Sequence, residues 1–177
     1  MTDATLARRV YERSHLVGEF RLRSGAVSGE YFDKYLFEAD PELLRAVAAG
    51  LAALLPDGVG AIAGLELGGV PLATMVSQLT GVPALFVRKA AKEYGTCRLA
   101  EGGEVRGRPV AVVEDVVTSG GQVIESCRAL RERGAVVLAV LCVIDRESGG
   151  AAALAREGLE LRSLFTMSAL RDAAAAG

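Results

Sequence analysis

The sequence predicts an α/β fold, a central parallel sheet flanked by helices, and three observations carry that prediction. Short, largely β-branched apolar runs at Val59 to Ala63, Ala84 to Val87, Val110 to Val113 and Val136 to Ile144 alternate with stretches of helical periodicity. Such alternation is the pattern of a parallel sheet covered on both faces. A chain of 177 residues, 51% of them hydrophobic, can bury one substantial core, so a single domain spanning 1–177 is expected. The third observation is local: in Val110-Ala-Val-Val-Glu-Asp-Val-Val-Thr-Ser-Gly-Gly-Gln-Val123 an apolar strand runs into two acids and then a glycine turn that opens a helix.

In chain order, Thr5 to His15 reads as a helix, and Phe20 to Asp33, with Gly18, Gly25 and Gly29 in and around it, as irregular extended structure. Asp40-Pro41-Glu42 supplies an N-cap, a first-turn proline and an acid for a helix with an apolar stripe at Leu43, Leu44, Val47, Leu51 and Leu54. Pro56 and Gly58 close it. Helices follow at about 70 to 80 and at Gln122 to Arg133, the latter with Val123, Ile124, Cys127 and Leu130 on one stripe and Gly134 as its stop. A strand-like run at Leu159 to Phe165 and a short helix near Ser168 to Ala175 complete the chain.

Composition excludes several classes. A formal charge of -2, with five Phe, four Tyr and no Trp, leaves neither a basic footprint nor stacking platforms for nucleic acid. Cys97, Cys127 and Cys142 are odd in number and lack metal spacing, so they read as thiols of a reducing cytoplasm. The charged, amphipathic N-terminal segment has no apolar signal core, and no window approaches a membrane span, so a soluble cytoplasmic protein is expected.

Chemistry concentrates in four places. Thr118 to Gly121 lack bulk, so backbone N–H groups and two hydroxyls can approach an anion at the positive end of a helix. Glu114 and Asp115, just before them, can accept hydrogen bonds from ribose hydroxyls or help hold a hydrated magnesium ion. The other reading of the segment is an ordinary strand-to-helix connection with its cap. Gly64-Leu-Glu-Leu-Gly-Gly-Val-Pro71 is a second glycine turn, either an anion loop or a tight connection; Val70 stands where a nucleoside-triphosphate loop needs lysine. Arg88-Lys-Ala-Ala-Lys-Glu-Tyr-Gly95 opens a connection of about twenty residues to Pro109, a lid or a hairpin, whose Arg88, Lys89 and Lys92 can meet a diphosphate or form a solvated basic turn. Arg146, in Val143-Ile-Asp-Arg-Glu-Ser-Gly-Gly150, is an exposed strand-end charge or a fork for a carboxylate. His15, the single histidine, is placed near a helix end, away from these motifs, and receives no chemistry.

Val112-Val-Glu-Asp-Val-Val-Thr-Ser-Gly-Gly121 resembles the phosphoribosyl pyrophosphate signature of type I phosphoribosyltransferases. The 64–71 turn resembles that family's pyrophosphate loop, and the 88–95 run is similar to the catalytic loop of its orotate phosphoribosyltransferases. Gly18 to Gly25 and Ser28 to Asp33 resemble the N-terminal hood over the base, and Asp145-Arg-Glu-Ser-Gly-Gly150 the element that meets orotate. The resemblance implies the type I phosphoribosyltransferase fold, with about residues 1–35 forming the hood. It also implies a pentosyltransferase that moves ribose 5-phosphate from phosphoribosyl pyrophosphate to orotate, with Mg2+ as cofactor, in pyrimidine biosynthesis. On this resemblance Leu67, Gly68, Arg88, Lys89, Lys92, Tyr94, Glu114, Asp115, Val116, Val117, Thr118, Ser119, Gly120, Gly121 and Gln122 bind phosphoribosyl pyrophosphate. Lys92, Asp115 and Glu114 are the catalytic groups, and Glu114 and Asp115 reach magnesium through water. Orotate falls to Arg23, Tyr31, Phe32, Thr118 and Arg146. A homodimer with shared active sites is implied. Three positions depart from the pattern: Tyr94 replaces a histidine, Gly68 a lysine found in some members, and Arg23 a lysine. They keep open transfer to another base, and a regulator that binds phosphoribosyl pyrophosphate without turnover is the reading from a different class.

Overall fold

Residues 3–21, 25–89 and 99–176 are described in the computed structural model. In chain order they form α1 (Asp3–Ser14), β1 (His15–Arg21), β2 (Val27–Phe32), α2 (Lys34–Glu38), α3 (Pro41–Ala53), β3 (Ala61–Leu65), α4 (Gly69–Thr80) and β4 (Ala84–Val87). There follow β5 (Ala100–Glu101), β6 (Pro109–Val117), α5 (Gly121–Glu132), β7 (Val136–Asp145), α6 (Gly150–Arg156), β8 (Leu161–Thr166) and α7 (Met167–Ala175).

The main sheet has the order β5-β4-β3-β6-β7-β8. Its strands are parallel except β5, which pairs antiparallel with β4 through Phe86↔Glu101 and Val87↔Ala100. The central parallel sheet flanked by helices is present as expected, with β5 as one antiparallel strand at its edge. After β4 the chain returns to the same edge, where the Arg88 N–H donates to the Leu99 carbonyl (2.9 Å), and a return beside the same strand must run the other way. β1 and β2 form a separate antiparallel pair, with a register irregularity between Val17 and Phe20, where irregular extended chain was expected.

Alternation along the strands divides the core between the two sheet faces. One face packs Ile62, Ala111, Val113 and Leu141 against Val10, Val47, Leu51, Leu72, Val76 and Leu170 from α1, α3, α4 and α7. The opposite face packs Ala63, Val110, Val112 and Val140 against Val123, Cys127, Leu130 and Leu154 from α5 and α6. Asp40 caps α3 as its spacing predicts, accepting from the N–H groups of Glu42 and Leu43. No helix among the described residues is long and apolar enough to cross a membrane.

Two strand boundaries and two added helices differ from the expectation in ways that matter for the site. β3 lies two residues later than expected, so Leu65 ends it directly before Glu66. β6 continues past Val113 to Val117, held by Val116↔Ile144 and Val117↔Asp145, so Glu114 and Asp115 stand on the strand itself. Helices α2 and α6 appear where none was expected; α2 is capped by Asp33, whose side chain accepts from the Tyr35 N–H.

Candidate active site

The site lies at the carboxyl ends of β3, β4, β6 and β7, where an open α/β sheet offers its crevice. Close backbone approach builds it. A Cβ on Gly64 would lie 2.4 Å from the Gly69 carbonyl oxygen, and one on Gly69 would lie 2.2 Å from that of Val113. The three elements β3, α4 and β6 can therefore meet only through glycine. That contact lays the turn after β3 over Asp115, since a Cβ on Gly68 would overlap the Asp115 carboxylate. The Glu66–Leu67 peptide bond in this turn is cis.

A cleft of about 350 Å³ opens there, lined by Lys34, Tyr35, Glu66, Leu67, Lys89, Glu114, Asp115 and the continuous run from Val116 to Val123. Gly120 takes a φ of 80°, turning the chain into α5, whose first turn has no side-chain cap. Its leading N–H groups thus remain available to an anion. Glu66 reaches across the cleft, its Oε1 accepting from the Lys89 N–H (3.1 Å).

The two strand carboxylates differ in environment. Asp115 is fully buried and its Oδ1 accepts from the Val116 N–H. Glu114 accepts from the Asp115 N–H, and burial first, then Asp115 beside it, pushes its pKa up to about 9. The pair thus holds a proton near neutral pH. Lys34 supplies the countercharge, its Nζ lying 2.5 Å from Asp115 Oδ2. Burial opposes that charge, but the hydrogen bond to Asp115 and the fields of Asp115 and Glu114 hold the ammonium above the ordinary lysine range. Glu38, one turn further along α2, has both carboxyl oxygens buried without a hydrogen-bond partner. Its pKa is pushed up to about 8 by burial, with Asp115 adding to it.

A second cleft of about 590 Å³ is lined by Tyr11, His15, Ser28, Glu30, Tyr31, Phe32, Thr118, Arg146, Met167 and Arg171. Thr118 belongs to both clefts. Arg146 is fixed at the backbone, its N–H donating to the Val117 carbonyl (2.9 Å). The glycine turn after it leans on the Thr118 loop, because a Cβ on Gly150 would come within 2.6 Å of the Thr118 oxygen. Glu147, at a φ of 57°, accepts from the Ser168 N–H and hydroxyl and ties this loop to α7. Glu30 bonds His15 (2.8 Å) and lies 3.8 Å from Arg171. The His15 hydrogen bond, then the charges of His15, Arg171 and Arg146, hold its carboxyl below the usual range despite some desolvation.

Of the residues singled out in the sequence, Leu67, Lys89 and Glu114 to Gln122 line the first cleft, with Gly68 against Asp115. Tyr31, Phe32, Thr118 and Arg146 line the second. Arg23, Lys92, Tyr94 and Cys97 lie outside the described residues. Arg88 is not brought to the first cleft: the β4–β5 pairing carries it to the sheet edge, where Nε lies 3.6 Å from Glu101 Oε1. His15 is also corrected, since it begins β1 and lines the second cleft instead of standing apart from the motifs. Lys34, Tyr35 and Glu66, and Tyr11, Glu30 and Arg171, were not singled out. The available signals were the Asp33 cap before Lys34 and the acid at the end of β3 inside the glycine turn.

Comparisons with known proteins agree with this geometry. Residues 38–160 match the family model described as a phosphoribosyl transferase domain. The chain is 58% identical over 175 residues to an orotate phosphoribosyltransferase of a Nocardioides species, covering 99% of this chain and 98% of that protein. Among solved structures, Mycobacterium tuberculosis orotate phosphoribosyltransferase in complex with Fe(III) dicitrate superposes with a TM-score of 0.86 at 34% identity, covering 95% of this chain and 98% of that one. The same enzyme in complex with 5-phospho-alpha-D-ribosyl 1-diphosphate gives a TM-score of 0.82 at 31% identity, with 96% and 98% covered.

Proposed function

This chain belongs to the phosphoribosyltransferase family, and from that premise we propose that it is an orotate phosphoribosyltransferase. It transfers ribose 5-phosphate from phosphoribosyl pyrophosphate to N1 of orotate, giving orotidine 5'-monophosphate and pyrophosphate. The observation that carries this reading is the junction of the two clefts at Thr118, one lined by an anion loop and paired carboxylates, the other by Arg146, Tyr31 and Phe32.

Thr118 to Gly121 and the start of α5 hold the 5'-phosphate, a remote handle that fixes the reacting carbon. Glu114 and Asp115 take the ribose hydroxyls. As the bond from C1' to the diphosphate oxygen breaks and the bond to N1 forms, the N1 proton passing to the departing pyrophosphate, positive charge develops on the ribose ring, and the single negative charge of the acid pair stabilises it. The 66–68 turn and Lys89 meet the diphosphate, with Lys92 of the 88–108 connection as a further cation. Arg146 forks the orotate carboxylate while Tyr31 and Phe32 flank the ring.

Oxygen donors at Glu114 and Asp115 suit a hydrated magnesium ion reached through water, and no group of three or more possible metal-holding side chains occurs among the described residues. Mg2+ bound to the diphosphate would neutralise charge on the leaving group. The free, buried thiols of Cys127 and Cys142 suit a reducing cytoplasm, and we assign the working form to a homodimer whose 88–108 connection serves the neighbouring site.

The decisive assay follows orotate absorbance with phosphoribosyl pyrophosphate and Mg2+, in the wild type and in Arg146→Ala. The wild type should consume orotate. The variant should lose roughly 2 to 4 kcal/mol in kcat/KM for orotate, the scale of truncating a desolvated charged pair, with binding of phosphoribosyl pyrophosphate unchanged. Orotate use that survives the substitution intact would reduce Arg146 to a strand-end charge.

A further inference from the structure

Resting on that reading, we propose that Lys34 is a diphosphate-contacting residue: its ammonium, held here by Asp115, passes to the diphosphate when the ribose hydroxyls take over that carboxylate. Several features converge on this exchange. Asp33 caps the first turn of α2, and Lys34, the first residue of that helix, puts its side chain into the first cleft beside the 66–68 turn, since Lys34 Nζ and Gly68 both approach Asp115 Oδ2. Asp115 is wholly buried, whereas the Lys34 side chain keeps 33% of its surface exposed, so the carboxylate is fixed and the cation is the partner that can move. A lysine head on a four-carbon stem pivots at little cost, unlike a planar guanidinium fork.

The charges lining the cleft require such a cation. Glu66, Glu114 and Asp115 are its acids, while Lys34 and Lys89 are its cations among the described residues. The turn nearest Asp115 has no room to provide another, because any side chain at Gly68 would overlap the Asp115 carboxylate. Compensation for an anionic diphosphate must come from cations on neighbouring elements, and Lys34 stands beside Lys89 as one of the two that line the cleft among the described residues.

The exchange also has a built-in order. A buried carboxylate left without a partner is strongly unfavourable, so Asp115 releases Lys34 only as hydroxyl donors replace it. Ribose capture and diphosphate capture are thereby coupled through one side chain. Glu38, on the next turn of α2, has both carboxyl oxygens buried and unpaired. It leaves Asp115 as the cation's partner in this structure.

The test compares three ligands, each with Mg2+: phosphoribosyl pyrophosphate, inorganic pyrophosphate and ribose 5-phosphate. Lys34→Ala should weaken phosphoribosyl pyrophosphate tenfold or more, and leave inorganic pyrophosphate, which brings no hydroxyls to free Lys34 from Asp115, and ribose 5-phosphate unchanged or tighter. Lys34→Gln, which keeps a hydrogen-bond donor for Asp115, guards against a folding defect and should show the same selective loss at an unchanged melting temperature. Equal weakening of all three ligands would make Lys34 a structural partner of Asp115 only, and no weakening would remove it from the site; either result overturns the proposal. Because the readout is binding without orotate, it stands apart from the assay of orotate transfer, whose failure in the wild type would instead strike the functional reading.

Discussion

Glu38 is an acid buried beside another acid with neither oxygen hydrogen-bonded. Its pKa of about 8 in the folded protein stands above the ordinary 4.5, so between those values the folded state binds a proton that the unfolded state has given up. A carboxyl with a raised pKa favours folding at low pH and progressively opposes it as pH rises through that window. Glu38→Gln, which copies the neutral acid, should therefore be nearly neutral to stability near pH 4 and stabilising near pH 8. The expected gain at the upper end is about 2 kcal/mol, discounted from the full shift for relaxation and coupling to Asp115. Urea midpoints of both proteins across that range measure it, and parallel pH profiles would assign the slope to other groups. Nothing local in Phe37-Glu38-Ala39 signals this, because the burial comes from α2 packing on α1 and α3, which brings Glu38 beside Asp115.

At the scale of elements, the approach of β3, α4 and β6 sets where the 66–68 turn lies. Gly64→Ala places a methyl group 2.4 Å from the Gly69 carbonyl oxygen and 2.7 Å from the Ala73 Cβ, and backbone cannot yield as a flexible side-chain tip can. The expected loss is roughly 1 to 3 kcal/mol of stability, as for other overpacked cores, together with weaker binding of phosphoribosyl pyrophosphate as the turn lifts from Asp115. Denaturant unfolding and ligand titration test both parts, and a variant of wild-type stability and affinity would show that the three elements separate freely. The same scale explains what the sequence made legible. The segment from Val110 to Glu132 declared itself because strand, glycine turn and helical stripe are all local signals. Helix α2 did not: five residues are too few to express a period, and Asp33 reads equally well as a turn residue. The β1–β2 pair was equally hidden, since most of its residues are exposed or half-buried and no face alternates cleanly. β5, two residues long, exists only through its pairing with β4. Lys34 and Arg171 escaped for a further reason: their roles depend on which strand or helix they face, and spacing along the chain does not encode that.

For the whole molecule, the proposed sharing of sites between protomers makes a quantitative prediction. Lys92→Ala leaves the 114–121 strand end and loop intact, and Asp115→Asn leaves the 88–108 connection intact. Mixing the two inactive chains, with exchange of subunits verified, should restore roughly a quarter of wild-type activity: half the dimers are hybrid and each has one complete site. Activity that stays at the level of the separate variants would mean that each protomer completes its own site.

The second cleft joins parts of the chain that are made far apart in time. Tyr11 and His15 come from α1 and the start of β1, Met167 and Arg171 from α7, and α1 packs directly on α7. The first cleft draws its lining from residues 34 to 123. During synthesis the chain emerges at roughly 5 to 20 residues per second, so the segments lining the first cleft leave the ribosome seconds before α7 is available to close the second. α1 packs on α2 and α3 as well, but its most extensive packing, on α7, waits for that helix, so α1 is fully buried later than elements that follow it in the chain.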